Sequence, residues 1–180
     1  MDLEKLKYPI GKRVYDEKSA NIMKTTWIRK IQDLPAKLDE VALNLTEEQL
    51  QYTYRPGGWT IAQVVHHLAD SHMNAYLRCK FALTEEYPKI NGYEETIWAM
   101  MPDAKSNDIK PSLDIIRGIH ARWTLTLNEM GSTDYARKYH HLGYKNDWDL
   151  MSVLSLYAWH SEHHLAHIHQ GLKFKGEFGI

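Results

Sequence analysis

One cysteine, Cys79, occurs in the 180 residues of this chain. An intrachain disulfide is thereby excluded, and so is a zinc site built on paired cysteines. Apolar runs are short, with nothing near the ~18 residues that span a bilayer. The opening Met1-Asp2-Leu3-Glu4-Lys5-Leu6-Lys7 has no apolar centre of the kind a secretory leader carries. A soluble, cytoplasmic protein is the expectation. Charge of one sign is not in excess: 22 basic residues stand against 23 acidic ones, for a formal net charge of −1. With no block of Lys or Arg, neither nucleic acid nor a membrane is expected as a partner. Internal repeats and low-complexity tracts are missing. So are a Gly-x-Ser-x-Gly turn, a phosphate-binding loop and a dinucleotide fingerprint. Serine nucleophiles and nucleotide cofactors therefore have no motif to rest on.

What is present reads as a single domain over residues 1–180, of ordinary globular composition with 43% hydrophobic and 25% charged residues. Residues 1–20, with Pro9-Ile10-Gly11, read as an arm. Ile22, Met23, Trp27, Ile31, Leu34 and Leu38 recur at helical steps from about Asn21 to Glu40. Pro35 should kink or divide that helix. Thr46-Glu47-Glu48-Gln49 and Thr60-Ile61-Ala62-Gln63 have the form of capping boxes, the second opening a helix to about Thr84. Pro88, Gly92, Pro102 and Pro111 make residues 87–110 a connection with at most a short helix near 94–101. Pro111 suits the start and Gly131 the stop of a third long helix. Asn146 or Asp147 can cap a last helix that ends before Gly171, and a small hairpin around Gly143 fits the aromatic stretch 135–146. Four long helices with no alternating strand pattern predict an all-α bundle, and the long 87–110 connection predicts a crossover beside a site.

Eleven histidines are unevenly placed. Five fall in the run His160-Ser161-Glu162-His163-His164-Leu165-Ala166-His167-Ile168-His169. His160 and His164, one helical turn apart, share a face and can converge on one ion. His163 lies ~100° from His164 and does not join them. His167 can be a ligand itself or hydrogen-bond a ligand's other nitrogen. His169 reads as surface, and His120, His140 and His141 have no spacing partner. A third ligand is available from His66-His67 or His72. Either His66 or His67 can point inward, not both. A polar stripe of His67, Asp70 or Ser71, Asn74 and Arg78 favours His67, with His66 the alternative. Three neutral imidazoles leave an open position on a divalent metal, the pattern of a catalytic site. The His-x-x-x-His pair has Ser161 after its first member, so the zinc-protease role of a Glu at that place is unavailable.

Three segments carry a resemblance: Tyr54-Arg55-Pro56-Gly57-Gly58-Trp59-Thr60, the run Gln63-Val64-Val65-His66-His67-Leu68-Ala69-Asp70-Ser71-His72-Met73-Asn74, and Tyr157-Ala158-Trp159-His160 through His167-Ile168. Together they closely resemble the YfiT branch of the DinB-like superfamily, over nearly the whole chain. That branch is described as metal-dependent hydrolases, and related members are bacillithiol S-transferases. The resemblance implies an up-down-down-up four-helix bundle, often a homodimer, with one metal per chain held by His67, His160 and His164. Zinc is the usual metal of the family and nickel is also seen. It further implies a small-molecule substrate, with either water or a low-molecular-weight thiol activated for attack on an electrophile. Asn74 and Arg78 are then candidates to hold polar groups of a thiol cosubstrate, and Arg55 and Trp59 to line the mouth, Trp59 also serving as a plug at the helix start. If His167 or Asp70 closes a fourth position instead, the metal merely ties helices together, as in a metal-stabilised dimeric stress-response protein without turnover.

Overall fold

Residues 2–179 are described by the computed structural model. Eleven elements follow one another among them: α1 (Leu3–Lys7), α2 (Glu17–Ala42), α3 (Glu47–Leu50), α4 (Ile61–Thr84), β1 (Lys89–Ile90), α5 (Glu95–Trp98), α6 (Lys110–Glu129), α7 (Ser132–Tyr135), β2 (Lys138–His141), β3 (Asn146–Asp149) and α8 (Leu150–Phe174).

Each long helix but α6 is opened by a side chain that accepts from otherwise unpaired N–H groups. Asp16 accepts from Lys18 and Ser19 at the head of α2, and Asp149 from Ser152 at the head of α8. Thr60 and Gln63 form the expected reciprocal box on α4. Helix α6 instead carries Pro111 in its first turn, where a missing N–H costs nothing.

Four departures from the sequence expectations have local causes. The N-terminal arm contains the short α1, because Asp2 caps it through the Glu4 amide. Helix α2 starts four residues before Asn21, at the Asp16 cap, and runs through Pro35 without dividing. The cap of α8 is Asp149 rather than Asn146 or Asp147, which instead belong to β3. Gly171 does not stop α8, which continues to Phe174 and ends on Lys175 at φ 51°. A Cβ at Gly171 would lie 3.2 Å from the Ile61 side chain and 3.4 Å from the Thr53 carbonyl. Its glycine serves the close approach of α8 to the start of α4. The hairpin expected around Gly143 is present as β2 and β3, antiparallel with Tyr139 opposite Trp148, and β1 joins β2 in parallel.

Contacts between side chains define the path. His66 meets Ser112 and, farther along both helices, His72 meets His120, so α4 and α6 are parallel. His67 meets His160 while Ser71 meets Tyr157, so α8 is antiparallel to α4. Ile31 meets His120 and Asp39 meets Arg117, so α2 is antiparallel to α6. The result is an up-down-down-up four-helix bundle, in which residues 85–109 form the crossover that a parallel neighbour requires.

The apolar interior falls into two parts. One surrounds Ile31, Ala75, Trp123 and Leu154; the other surrounds Leu34, Leu68, Ile116 and Ile168. Between them, each of α4, α6 and α8 contributes histidine: His67 and His72, His120, and His160 and His164. A polar layer thus crosses the middle of the bundle, where burial is costly unless every donor and acceptor is matched. No helix among the described residues is long and apolar enough to cross a membrane.

Candidate metal centre

Donor atoms of His67, His160 and His164 lie within 4.8 Å of one another. The Nε2 atoms of His67 and His160 are 3.2 Å apart. Two nitrogens at ~2.1 Å from a tetrahedral ion would be separated by about 3.4 Å. The donor set therefore fits a divalent ion of the zinc class, both in spacing and in chemistry.

Their protonation fits as well. Burial pushes the His67 imidazole down to about 4, with repulsion from His163 adding to the effect. Burial also holds His160 and His164 well below the ordinary imidazole range, and each is lowered further by the neighbouring histidines. All three are neutral at pH 7, the form in which imidazole binds a metal.

Backbone carbonyls decide which nitrogen of each ring is free, since a carbonyl can only accept. The Ile31 carbonyl, 2.5 Å from His120 Nδ1, requires a proton there. His120 Nε2 then accepts from His72 Nδ1 at 2.9 Å, and His72 Nε2 accepts from His160 Nδ1 at 3.1 Å. His160 Nε2 is left bare and faces His67. On the other side, the Lys7 carbonyl accepts from His167 Nε2 at 3.1 Å, so His167 Nδ1 accepts from His164 Nδ1 at 3.4 Å. His164 is likewise left with a bare Nε2. Two ligands are thus oriented by chains of hydrogen bonds that end on main-chain carbonyls.

The remaining histidines sort cleanly. His66, the alternative to His67, points to α6, donating to the Ser106 carbonyl and accepting from the Ser112 hydroxyl. His163 stacks between Tyr8 and Trp159. His167 supports His164 and stacks on Tyr54 with ring centroids 3.8 Å apart. His140 pairs with Asp147 in the hairpin, and His169 is exposed. His120, which has no spacing partner in the sequence, is a full member of the buried network, and His72 stands between it and a ligand. Their role as links could not be found from periodicity along one helix, because the contacts join four helices. The available signal was Pro35, whose missing N–H leaves a carbonyl in search of a donor.

Above the three histidines opens a cavity of about 830 Å³. Helices α4 and α8 form its floor, and Lys7-Tyr8, residues 91–96 and the tip of the hairpin at 141–144 form its rim. Arg55 and Trp59 do line it, and Trp59 also packs on His67 with ring centroids 4.8 Å apart. Arg78 reaches its wall from α4. This arginine is buried, its Nε has no hydrogen-bond partner, and none of the ion pairs among the described residues includes it. Asn74 is not brought to the cavity; its amide donates to the Asp70 carbonyl one turn back on its own helix. Asp70 is absent from the converging donors too, so neither it nor His167 closes a fourth position. Cys79 packs in the apolar interior, where burial pushes its thiol up to about 11.

A four-helix bundle with a buried three-histidine donor set at the foot of an open cavity defines a class of candidate metalloprotein. Its family follows from comparison. The sequence profile of the DinB superfamily matches residues 30–168, and the chain belongs to that superfamily. It is 44% identical over 163 residues to the "Putative metal-dependent hydrolase YfiT" of Bacillus subtilis, covering 91% of this chain and 92% of that one. A "Putative metal-dependent hydrolase" of Oceanobacillus iheyensis is 45% identical over 162 residues, 90% of this chain and 93% of that protein. The solved structure of B. subtilis YfiT, described as "a probable metal-dependent hydrolase with an unusual four-helix bundle topology", superposes with a TM-score of 0.90 at 42% identity, over 96% of this chain and 98% of that one.

Proposed function

We propose that this protein is a metal-dependent enzyme in which His67, His160 and His164 hold one divalent ion, zinc or alternatively nickel, to activate a small nucleophile. One observation carries the reading: three imidazoles converge at the floor of an 830 Å³ cavity while His167 bonds the Lys7 carbonyl and Asp70 lies outside the converging donors. That combination is the open arrangement of a catalytic site, unlike the four protein ligands of a structural one. A divalent ion held there supplies Lewis acidity, bringing the pKa of a coordinated water or thiol toward neutrality.

The protein's own residues supply position and selectivity. The carbonyl-anchored histidine chains keep two ligands aimed without demanding reorganisation. Arg78, buried at the cavity wall with its Nε unbonded, offers a bidentate donor for a carboxylate on an entering molecule. A cavity of this size accommodates a thiol cosubstrate together with an electrophile. These two features favour transfer of a carboxylate-bearing small thiol to an electrophilic carbon, with hydrolysis as the second reading, supported by the names of the relatives. Cys79, buried and outside the cavity wall, is not the nucleophile.

The test is consumption of a carboxylate-bearing thiol in the presence of a chlorinated or epoxide electrophile, alongside cleavage of small esters and amides. Metal-dependent thiol loss that disappears in His160→Ala supports transfer. Ester or amide cleavage with the same dependence supports hydrolysis. Neither reaction from metal-replete protein would return the site to a structural role.

A further inference from the structure

Within α2, the Ile31 carbonyl would ordinarily accept from the amide four residues on. That residue is Pro35, which has no N–H and whose ring crowds the carbonyl outward. A proline inside a 26-residue helix is destabilising by itself, yet this one sits half-buried on the side of α2 that faces α6 and His120. The freed carbonyl is taken by His120 Nδ1 at 2.5 Å. From there the bonds run His120 to His72 at 2.9 Å and His72 to His160 at 3.1 Å. Stacking reinforces the first step, with the His72 and His120 rings 4.9 Å apart and 20° from parallel. Trp123 and Tyr157 close around His72 edge-on. The two middle rings are shielded, for His72 is fully buried and His120 nearly so.

We propose that Pro35, acting through His120 and His72, fixes the tautomer in which His160 presents an unprotonated Nε2 to the metal. Each ring in the chain has one acceptor and one donor to place, and the direction of all of them is set by the single end that cannot donate. Were the Ile31 carbonyl drawn into its own helix and away from His120, His120 could turn its proton to Nε2. His72 would then reverse, and His160 would carry its proton on the nitrogen that faces His67. Pro35 of α2, His120 of α6 and His72 of α4 thus orient a ligand of α8 without themselves touching the ion. Pro35, His120 and His72 are positioning residues. The inference rests on the metal reading of His160, but its first consequence is visible in the metal-free protein.

Imidazole ¹⁵N spectra of metal-free protein, assigned with single histidine variants, report which nitrogen of each ring is protonated. Protonation on Nδ1 at His120, His72 and His160 together is the expected result. Protonation of His160 on Nε2 would overturn the inference. His120→Phe, which cannot accept from His72, is expected to scramble that pattern and weaken metal binding by about 10-fold or more, measured by competition with a chelator. His120→Gln, whose amide oxygen can accept in place of Nε2, is expected to recover most of the affinity. Pro35→Ala gives the sharpest contrast: a higher Tm for the metal-free chain together with weaker metal binding. Unchanged affinity and an unchanged His160 tautomer in Pro35→Ala would remove the proline from the account. A wild-type chain with the expected tautomers that takes up no metal would overturn the proposed function instead, leaving the hydrogen-bond chain in place.

Discussion

Acidification of the metal-free protein should unfold it well above the pH at which carboxylates protonate. His120 illustrates the size of the effect. Free imidazole titrates near 6.5, whereas burial pushes His120 down to about 4, against a smaller raising effect from its bond to the Ile31 carbonyl. Between these values the unfolded chain binds a proton that the folded chain refuses, so stability is complete above the unfolded pKa and falls as pH drops toward the folded one. Moving from about pH 7 to about pH 5 removes on the order of 2 kcal/mol through this one residue. His67 and His163, also pushed to about 4, and His167, pushed to about 3, act in the same direction. A domain has roughly 5–15 kcal/mol in total, so the layer is a large liability in acid. Urea unfolding with a chelator present, followed at both pH values, measures it. His120→Gln should lose about 2 kcal/mol less than wild type over the same interval. Equal stability of the wild type at the two pH values, or an identical loss in His120→Gln, would refute the reasoning.

Two further outcomes concern single residues. Arg78→Met should raise KM for a carboxylate-bearing thiol by about 10-fold or more with less change in kcat. An unchanged KM would contradict the role given to Arg78. Cys79 in the native protein should react with a thiol-specific dye only as fast as the chain unfolds, and Cys79→Ala should keep full turnover, as burial has raised its thiol to about 11. Rapid labelling of folded protein would show that the thiol is accessible.

Much of the bundle was legible in the chain because its signals are local. Capping boxes at Thr46 and Thr60, proline at the head of α6 and the recurring apolar residues of α2 each act within a few residues of themselves. His160 and His164 were legible for the same reason, being one turn apart. Errors arose where a distant contact overrode a local rule. Gly171 looks like a helix stop and is instead a point of contact with Ile61 and the Thr53 carbonyl. Asn74 is a separate case: it shares a stripe with His67 and Arg78, and its amide bonds the Asp70 carbonyl on its own helix. Pro35 looked like a break, yet α2 continues through it, and the carbonyl it frees is answered from α6. His120 had no visible partner because its partners lie on α2 and α4, a relationship that only the parallel crossover of α4 and α6 creates.

Metal content per chain, measured by elemental analysis on protein purified without an affinity tag or added metal, tests the central claim most directly. About one divalent ion per wild-type chain is expected for a three-histidine site, lost in His67→Ala and His160→Ala and kept in His140→Ala, whose imidazole is paired with Asp147 in the hairpin. A wild type that stays metal-free even after reconstitution, or equal retention by all three variants, would contradict the account.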